Sequence, residues 1–273
     1  MEKLNTHYIL KSDLLYGKNT KAQPYYVYII LSILNKIPKR LIPFIEIFFK
    51  PFALKCSFKV LDKKLNFYLH SNLYDFKYHG GMIHELRVSE NLRRLTPPNS
   101  IFYDIGCPVG WYSILLSDKC KKIIGFDPYD KSSLLNIELN KINHFEFSPY
   151  LLSDHQEQGE IEITTINNLI ERNFPIPNVI KIDVEGAEYK VLLGAKKLFN
   201  INSPEIVLIE THSEKLFYQC LEFLKSFNYR VYNLGCPKIN TGGDIYLISY
   251  NLETNVFSTK SETRILLGIK ELI

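Results

Sequence analysis

The 273-residue chain has no uninterrupted apolar run near the roughly 20 residues that a membrane-spanning helix needs, so a spanning segment is excluded at the outset. Cysteine is scarce. Cys56, Cys107, Cys120, Cys220 and Cys236 are odd in number and scattered. That pattern excludes a disulfide framework and a zinc motif, and it suits reduced thiols. The N-terminus lacks the basic, apolar, small-residue order of a secretory signal, so the expected location is cytoplasmic. Repeats and low-complexity tracts are missing too, which excludes solenoids. No Gly-x-Gly-x-x-Gly fingerprint occurs.

What is present suffices for a large core: 46% of the residues are hydrophobic. The net charge of +4 conceals an asymmetry. Residues 1–97 hold 16 Lys/Arg against 7 Asp/Glu, whereas residues 98–273 hold 17 against 22. The basic leading part suits an anionic partner; the acidic remainder would repel phosphates and makes nucleic acid an unfavourable one. Residues 24–55 contain two short apolar runs around Pro38 and Pro43. They read either as helices packed on the main domain or as a peripheral contact with an anionic membrane surface, with Lys36, Lys39 and Arg40 at the head groups.

Residues 57–70 alternate apolar and polar around Asp62-Lys63-Lys64, as a hairpin does. A helical pattern over 82–95 stops before Pro97-Pro98. Strands then alternate with helices: strands over 101–105, 122–127, 145–152, 178–183 and 205–210, helices over 110–118, 131–141, 165–172 and 187–199, and an extra strand near 160–164. This order implies an α/β fold with a parallel sheet. After a helix over 213–227, strands over 229–233 and 244–250 have no helix between them and are expected to pair antiparallel. The expected organisation is an N-terminal extension over 1–97 (helices plus hairpin), an α/β domain over 98–251 and a tail over 252–273.

Two motifs carry chemistry. The first strand ends on Asp104, and Asp104-Ile105-Gly106 with Gly110 forms Asp-x-Gly-x-x-x-Gly ahead of a helix. An acid before the first glycine would repel a pyrophosphate, but it suits a cationic or zwitterionic ligand such as the amino-acid end of S-adenosylmethionine. The second strand ends in Phe126-Asp127-Pro128, where a carboxylate can accept ribose hydroxyls. Further on, Lys181-Ile182-Asp183-Val184-Glu185-Gly186-Ala187-Glu188 ends an apolar strand on Asp183 and Glu185 and opens a helix. Anionic side chains are favoured at that helix end, so Glu185 and Glu188 also read as simple dipole complements. Ligands of open α/β sheets bind at the carboxyl ends of the strands.

These segments, with Leu152-Ser153-Asp154, Thr165 to Leu169 and Pro204 to His212, resemble FkbM-type S-adenosylmethionine-dependent methyltransferases over roughly residues 80–250. The resemblance implies a Rossmann-like class I methyltransferase sheet of seven strands, mostly parallel, with a terminal antiparallel hairpin. It implies S-adenosylmethionine as cofactor, held by Asp104, Ile105, Gly106, Gly110, Phe126, Asp127, Pro128 and Asp183. It further puts Ser153 and Asp154 near the adenine amine and Glu85 toward the cofactor cleft. The family's usual Ala-Asn is replaced here by Cys107-Pro108, and proline removes a backbone donor.

Glu210 and His212, one residue apart at the end of the fifth strand, lie on the same face of it. His212 or Asp183 can take a proton from an acceptor hydroxyl. With Glu185 and Glu210 these are the expected catalytic residues, and no metal is assigned. The expected reaction is O-methylation of a glycan, lipid-linked sugar or small metabolite. The alternative is a non-catalytic protein that retains the fold.

Overall fold

In the computed structural model, residues 55–68, 86–129, 132–233, 250–251 and 264–270 are described. Glu85, residues 24–54 and the loop between Gly235 and Gly243 lie outside them, as does most of the strand expected over 244–250. In chain order the elements begin with β1 (Lys55–Val60), β2 (Lys63–Tyr68), α1 (Leu86–Leu95), β3 (Ser100–Ile105), α2 (Trp111–Leu115), β4 (Cys120–Phe126), α3 (Ser132–Leu139) and β5 (Phe145–Ser148). Then come β6 (Leu151–Leu152), β7 (Ile163–Thr164), α4 (Ile166–Glu171), β8 (Val179–Ile182), α5 (Glu188–Gly194) and α6 (Lys196–Ile201). The last are β9 (Ile206–Thr211), α7 (Glu214–Ser226), β10 (Tyr229–Asn233), β11 (Tyr250–Asn251) and β12 (Arg264–Lys270). Among the described residues no helix is long and apolar enough to cross a membrane.

The chain divides into two compact units. The first holds the described residues up to Arg93, with Pro108–Leu115 and 130–143. Its β1–β2 hairpin is antiparallel, and Leu61 takes φ 53° in the tight turn. Phe67 of β2 stacks on Trp111 with ring centroids 5.3 Å apart, and the Trp111 indole N–H donates to Ser89 Oγ at 2.9 Å. Buried Arg93 bridges Asp62 through two bonds of 2.8 and 2.9 Å and donates to the Leu115 carbonyl. The amide oxygens of Asn136 and Asn140 on α3 accept the backbone N–H groups of Tyr68 and Asn66. Edge donors of β2 are thereby satisfied by side chains.

The second unit holds an eight-stranded sheet in the order β11-β10-β12-β9-β8-β3-β4-β5. The five strands from β9 to β5 are parallel, and β12, β10 and β11 continue the sheet by antiparallel pairing. Among the described residues the sheet has eight strands, so the expected count of seven is not confirmed. The strand between β9 and β10 is β12, from the segment expected as a tail, with Leu266 opposite Ile209 and Leu267 opposite Tyr232. The expected strand over 145–152 is divided. After Ser148 the chain leaves the main sheet, and β6 pairs with β7 in a separate two-stranded parallel sheet. The expected helix over 187–199 is likewise two helices, broken at Ala195, whose φ of −105° and ψ of 1° leave the helical range.

Period-two alternation separates core from site. Tyr103, Ile105, Ile124, Phe126, Ile180, Ile182, Val207 and Ile209 share one core with apolar residues of α4 to α7. Asp104 and Lys181 lie at the intervening positions of their strands, so their side chains leave from the opposite face. Gly194 closes α5 against the loop after β6. A Cβ there would lie 2.0 Å from the Ser153 carbonyl oxygen. Gly194→Ala should therefore lower the unfolding free energy by about 2–3 kcal/mol, as overpacking against backbone does. Gly159→Ala, whose Cβ would meet nothing closer than 3.6 Å, should change it by less than about 0.5 kcal/mol. Urea denaturation of both variants checks this; equal midpoints would contradict the packing argument.

Candidate active site

The centre of the site is Lys181. Register pairs it directly with Asp104 on the neighbouring strand, so the two side chains emerge side by side. Lys181 is 5% exposed and Asp104 1% exposed. Its ammonium lies 3.2 Å from Asp183 Oδ2 and 3.9 Å from Asp104 Oδ1, and it donates to the Gly106 carbonyl at 2.5 Å. Burial alone would lower its pKa, but Asp183, Asp104 and Glu210 outweigh this and hold the ammonium charged well above its ordinary range. Glu210, half-buried at the end of β9, thus acts on the same charge.

The loop after β3 is locked onto the end of β8. Gly106 has φ +76°, and a Cβ on it would stand 1.7 Å from the Asp183 carbonyl oxygen. The Gly106 N–H is already committed, donating to the Phe126 carbonyl at 2.9 Å. Cys107 is buried, and its sulfur occupies the space over Gly125, where a Cβ would approach it to 2.7 Å. Gly110 belongs to the first unit, where it has φ +73° and faces Ser133.

The other expected cofactor residues are spread along the same strand ends. Asp127, 8% exposed, accepts the Tyr129 backbone N–H at 2.9 Å and so shapes the turn after β4, and Pro128 is half-buried beside it. Ile105 and Phe126 send their side chains into the core; what they offer at the site is backbone, through carbonyls that accept from Asp183 and Gly106. Ser153 is buried and donates to exposed Asp154 at 3.2 Å. The His155 ring lies 2.9 Å from the same Asp154 oxygen, and this bond leads the causes that hold the carboxyl below its usual range.

The second focus joins β8 to β9. His212, just past β9, lies 2.6 Å through Nδ1 from Glu188 Oε1. Glu188 is fully buried, and the same oxygen accepts the Gly186 N–H at 2.8 Å. With Nδ1–H donating to Glu188, Nε2 is turned toward Asp183 Oδ1 at 3.7 Å and Glu185 Oε2 at 3.5 Å. Glu185 reaches this position from a left-handed backbone, φ 52°, at the turn before α5. Of the expected catalytic residues, Asp183, Glu185 and His212 are therefore brought together. Glu188, which the sequence also offers as a dipole complement, and Lys181, which reads there as a scaffold contact, are the members not among the expected site residues. A lone lysine in the apolar Val-Ile-Lys-Ile strand is a signal for a paired buried charge; the Glu188–His212 pair, 24 residues apart, has no local signal.

The hydrogen bond to Glu188 leads the causes that raise the His212 pKa above its ordinary 6.5; burial opposes it, and Asp183 and Glu185 reinforce it. A group whose folded pKa is raised stabilises fully below the unfolded value and loses that contribution as pH rises through the folded value. The stability gap between the natural protein and His212→Gln should thus be larger near pH 6 than near pH 9, as read by urea unfolding at both. An equal gap would show that the imidazolium makes no net contribution.

Residues 126–231 match the family model described as methyltransferase FkbM domain. No curated protein matches the chain. Among solved structures, the methyltransferase FkbM from Methylobacillus flagellatus KT is similar at 15% identity and a TM-score of 0.45, over 72% of this chain and 53% of its own. A precorrin-6y C5,15-methyltransferase from Geobacter metallireducens is similar at 14% identity and a TM-score of 0.44, over 68% and 86%. An rRNA methylase from Streptococcus thermophilus reaches 12% and 0.45, over 68% and 95%. The matched segment carries Asp127, Asp154, Asp183, Glu188 and His212, whereas Asp104 and Gly106 precede it; over residues 126–231 the chain is similar to the methyltransferase FkbM domain.

Proposed function

We propose that this chain is an S-adenosylmethionine-dependent O-methyltransferase acting on a hydroxyl of a glycan, a lipid-linked sugar or a small metabolite. The observation that carries the reading is the Glu188–His212 pair, at the same carboxyl edge of the parallel sheet as the strand-end acids Asp104, Asp127 and Asp183.

The donor set suits the cofactor. Three strand-end carboxylates favour a ligand with an ammonium, ribose hydroxyls and a sulfonium, and disfavour a pyrophosphate. The Gly106 N–H, spent on Phe126, is not available to cradle a phosphate. Asp104 and Asp183 would meet the cationic groups, Asp127 the ribose, and Ser153 with Asp154 the adenine. When bound, the cofactor supplies a methyl group already activated on sulfur, so alignment provides much of the rate.

A hydroxyl is a weak nucleophile until its proton is taken. His212 Nε2 is the group set to take it, because Glu188 holds the ring by its other nitrogen. Asp183, 3.7 Å away, supports the positive charge that then forms on the imidazole. The same reading extends to an anionic membrane surface met by Lys36, Lys39 and Arg40, which would bring a lipid-linked acceptor to the enzyme; the charge asymmetry of the chain supports it.

Calorimetry with S-adenosylmethionine and S-adenosylhomocysteine tests the reading. Both should bind, and Asp127→Ala should weaken them about tenfold or more, since a charge-assisted bond is worth about 1.5–3 kcal/mol. His212→Ala should keep cofactor binding and reduce methyl transfer to a hydroxyl acceptor by about 10²–10⁴. Absence of heat with either ligand at millimolar concentration would exclude the enzyme reading and leave a non-catalytic protein of the same fold.

A further inference from the structure

Asp183, Glu185 and His212 have an arrangement that proton transfer alone does not require. One ligand atom of each lies within 4.8 Å of the others. Two carboxylate oxygens converge on one imidazole nitrogen at 3.5 and 3.7 Å, too long for hydrogen bonds and near the separation of two ligands around one ion. Asp183 divides its oxygens: Oδ2 faces Lys181, and Oδ1 faces His212. Lys181 therefore holds this carboxylate in place rather than neutralising the oxygen that matters.

Glu188 supplies the independent observation. It is fully buried, with Oε1 directed at His212 Nδ1 and Oε2 without a hydrogen-bond partner among the described residues. A buried carboxylate behind an imidazole is the outer partner that metal-binding histidines have, fixing the tautomer so that the far nitrogen can bind a metal. Its charge is answered either by a proton on the ring or by a metal ion bound to it.

We propose that Asp183, Glu185 and His212 bind one divalent first-row transition-metal ion, with Glu188 as the outer carboxylate that orients His212. One nitrogen and two oxygen donors suit manganese, iron or zinc better than calcium or magnesium. The ion takes the Nε2 position that a proton otherwise fills, and that proton leaves to solvent. Three protein ligands leave coordination positions for acceptor oxygens, so the ion would polarise the hydroxyl to be methylated and its proton would leave to solvent. In that use the inference rests on the hydroxyl-acceptor reading above, narrows it to acceptors that can coordinate a metal, and puts the ion in place of His212 Nε2 as the group that activates the hydroxyl.

The test uses the full chain, freed of metal and without any methyl donor, titrated with Mn²⁺ by calorimetry and by the loss of the free-ion paramagnetic resonance signal. One Mn²⁺ should bind per chain. His212→Ala and Asp183→Asn should each weaken it by about tenfold or more, and Glu188→Gln by about 10–100-fold, the usual effect of an outer partner. Glu185, 88% exposed in its side chain, can be changed without disturbing packing, so Glu185→Gln should fold and still lose affinity. Glu157→Gln, on another exposed acidic loop, should not change it. No saturable Mn²⁺ binding at millimolar ion, or equal binding in folded Glu185→Gln and His212→Ala, overturns the proposal. S-adenosylhomocysteine binding to the same metal-free protein is read separately. Mn²⁺ without S-adenosylhomocysteine would sink the methyltransferase reading and keep the ion site; the reverse would sink the ion site alone.

Discussion

A single buried ammonium organises the carboxyl edge of the parallel sheet. Lys181 sits inside an otherwise apolar strand, where an unpaired charge would be prohibitive. It is tolerated because strand register delivers Asp104 beside it and the turn after β8 returns Asp183 to it. The ends of β3 and β8 are therefore tied by charge as well as by the backbone ladder. Removing the lysine alone would leave two acids facing each other at low exposure, which is costlier than losing the pair together. Asp104 and Asp183 owe their positions to this cation before they owe anything to a ligand.

Backbone approach is the second constraint, and it runs through glycine. Gly106 lets the loop after β3 press on the Asp183 carbonyl, and Gly194 lets α5 press on the Ser153 carbonyl. Both contacts bring the turns that carry site residues to fixed separations. Glycine at position 106 is thus explained by protein packing, whereas its motif alone suggests an approach to a ligand. The same rigidity serves His212. Its partner Glu188 starts α5, and Gly194 fixes the other end of that helix.

Much of this was legible in the residues. The parallel sheet follows from strands alternating with helices, and the hairpin expected over 57–70 is found over 55–68. Asp104, Asp127 and Asp183 stand at or beside strand ends as their motifs imply. What escaped is non-local. β12 enters the sheet between β9 and β10 by pairings that no local pattern encodes, and β6 and β7 are too short for a period to register. Lys181 carries a readable anomaly, but its meaning depends on register. Glu188 at a helix start looks like any acid complementing a dipole until the fold places His212 against it.

The charge balance bears on the proposed chemistry. Methyl transfer from a sulfonium removes positive charge from sulfur, so a carboxylate that favours the sulfonium favours the reactant over the transition state. Acids that recruit such a cofactor would slow its reaction if their charge were unanswered near the sulfur. Lys181 answers part of it, since Asp104 and Asp183 both face its ammonium. Glu188 is engaged with His212 in the same way. The buried ammonium thus leaves the edge acidic enough to attract a cationic ligand, while tempering the field where charge must vanish. On this argument Lys181 and His212 are complementary. One limits what the acids do to the donor, and the other equips them to act on the acceptor.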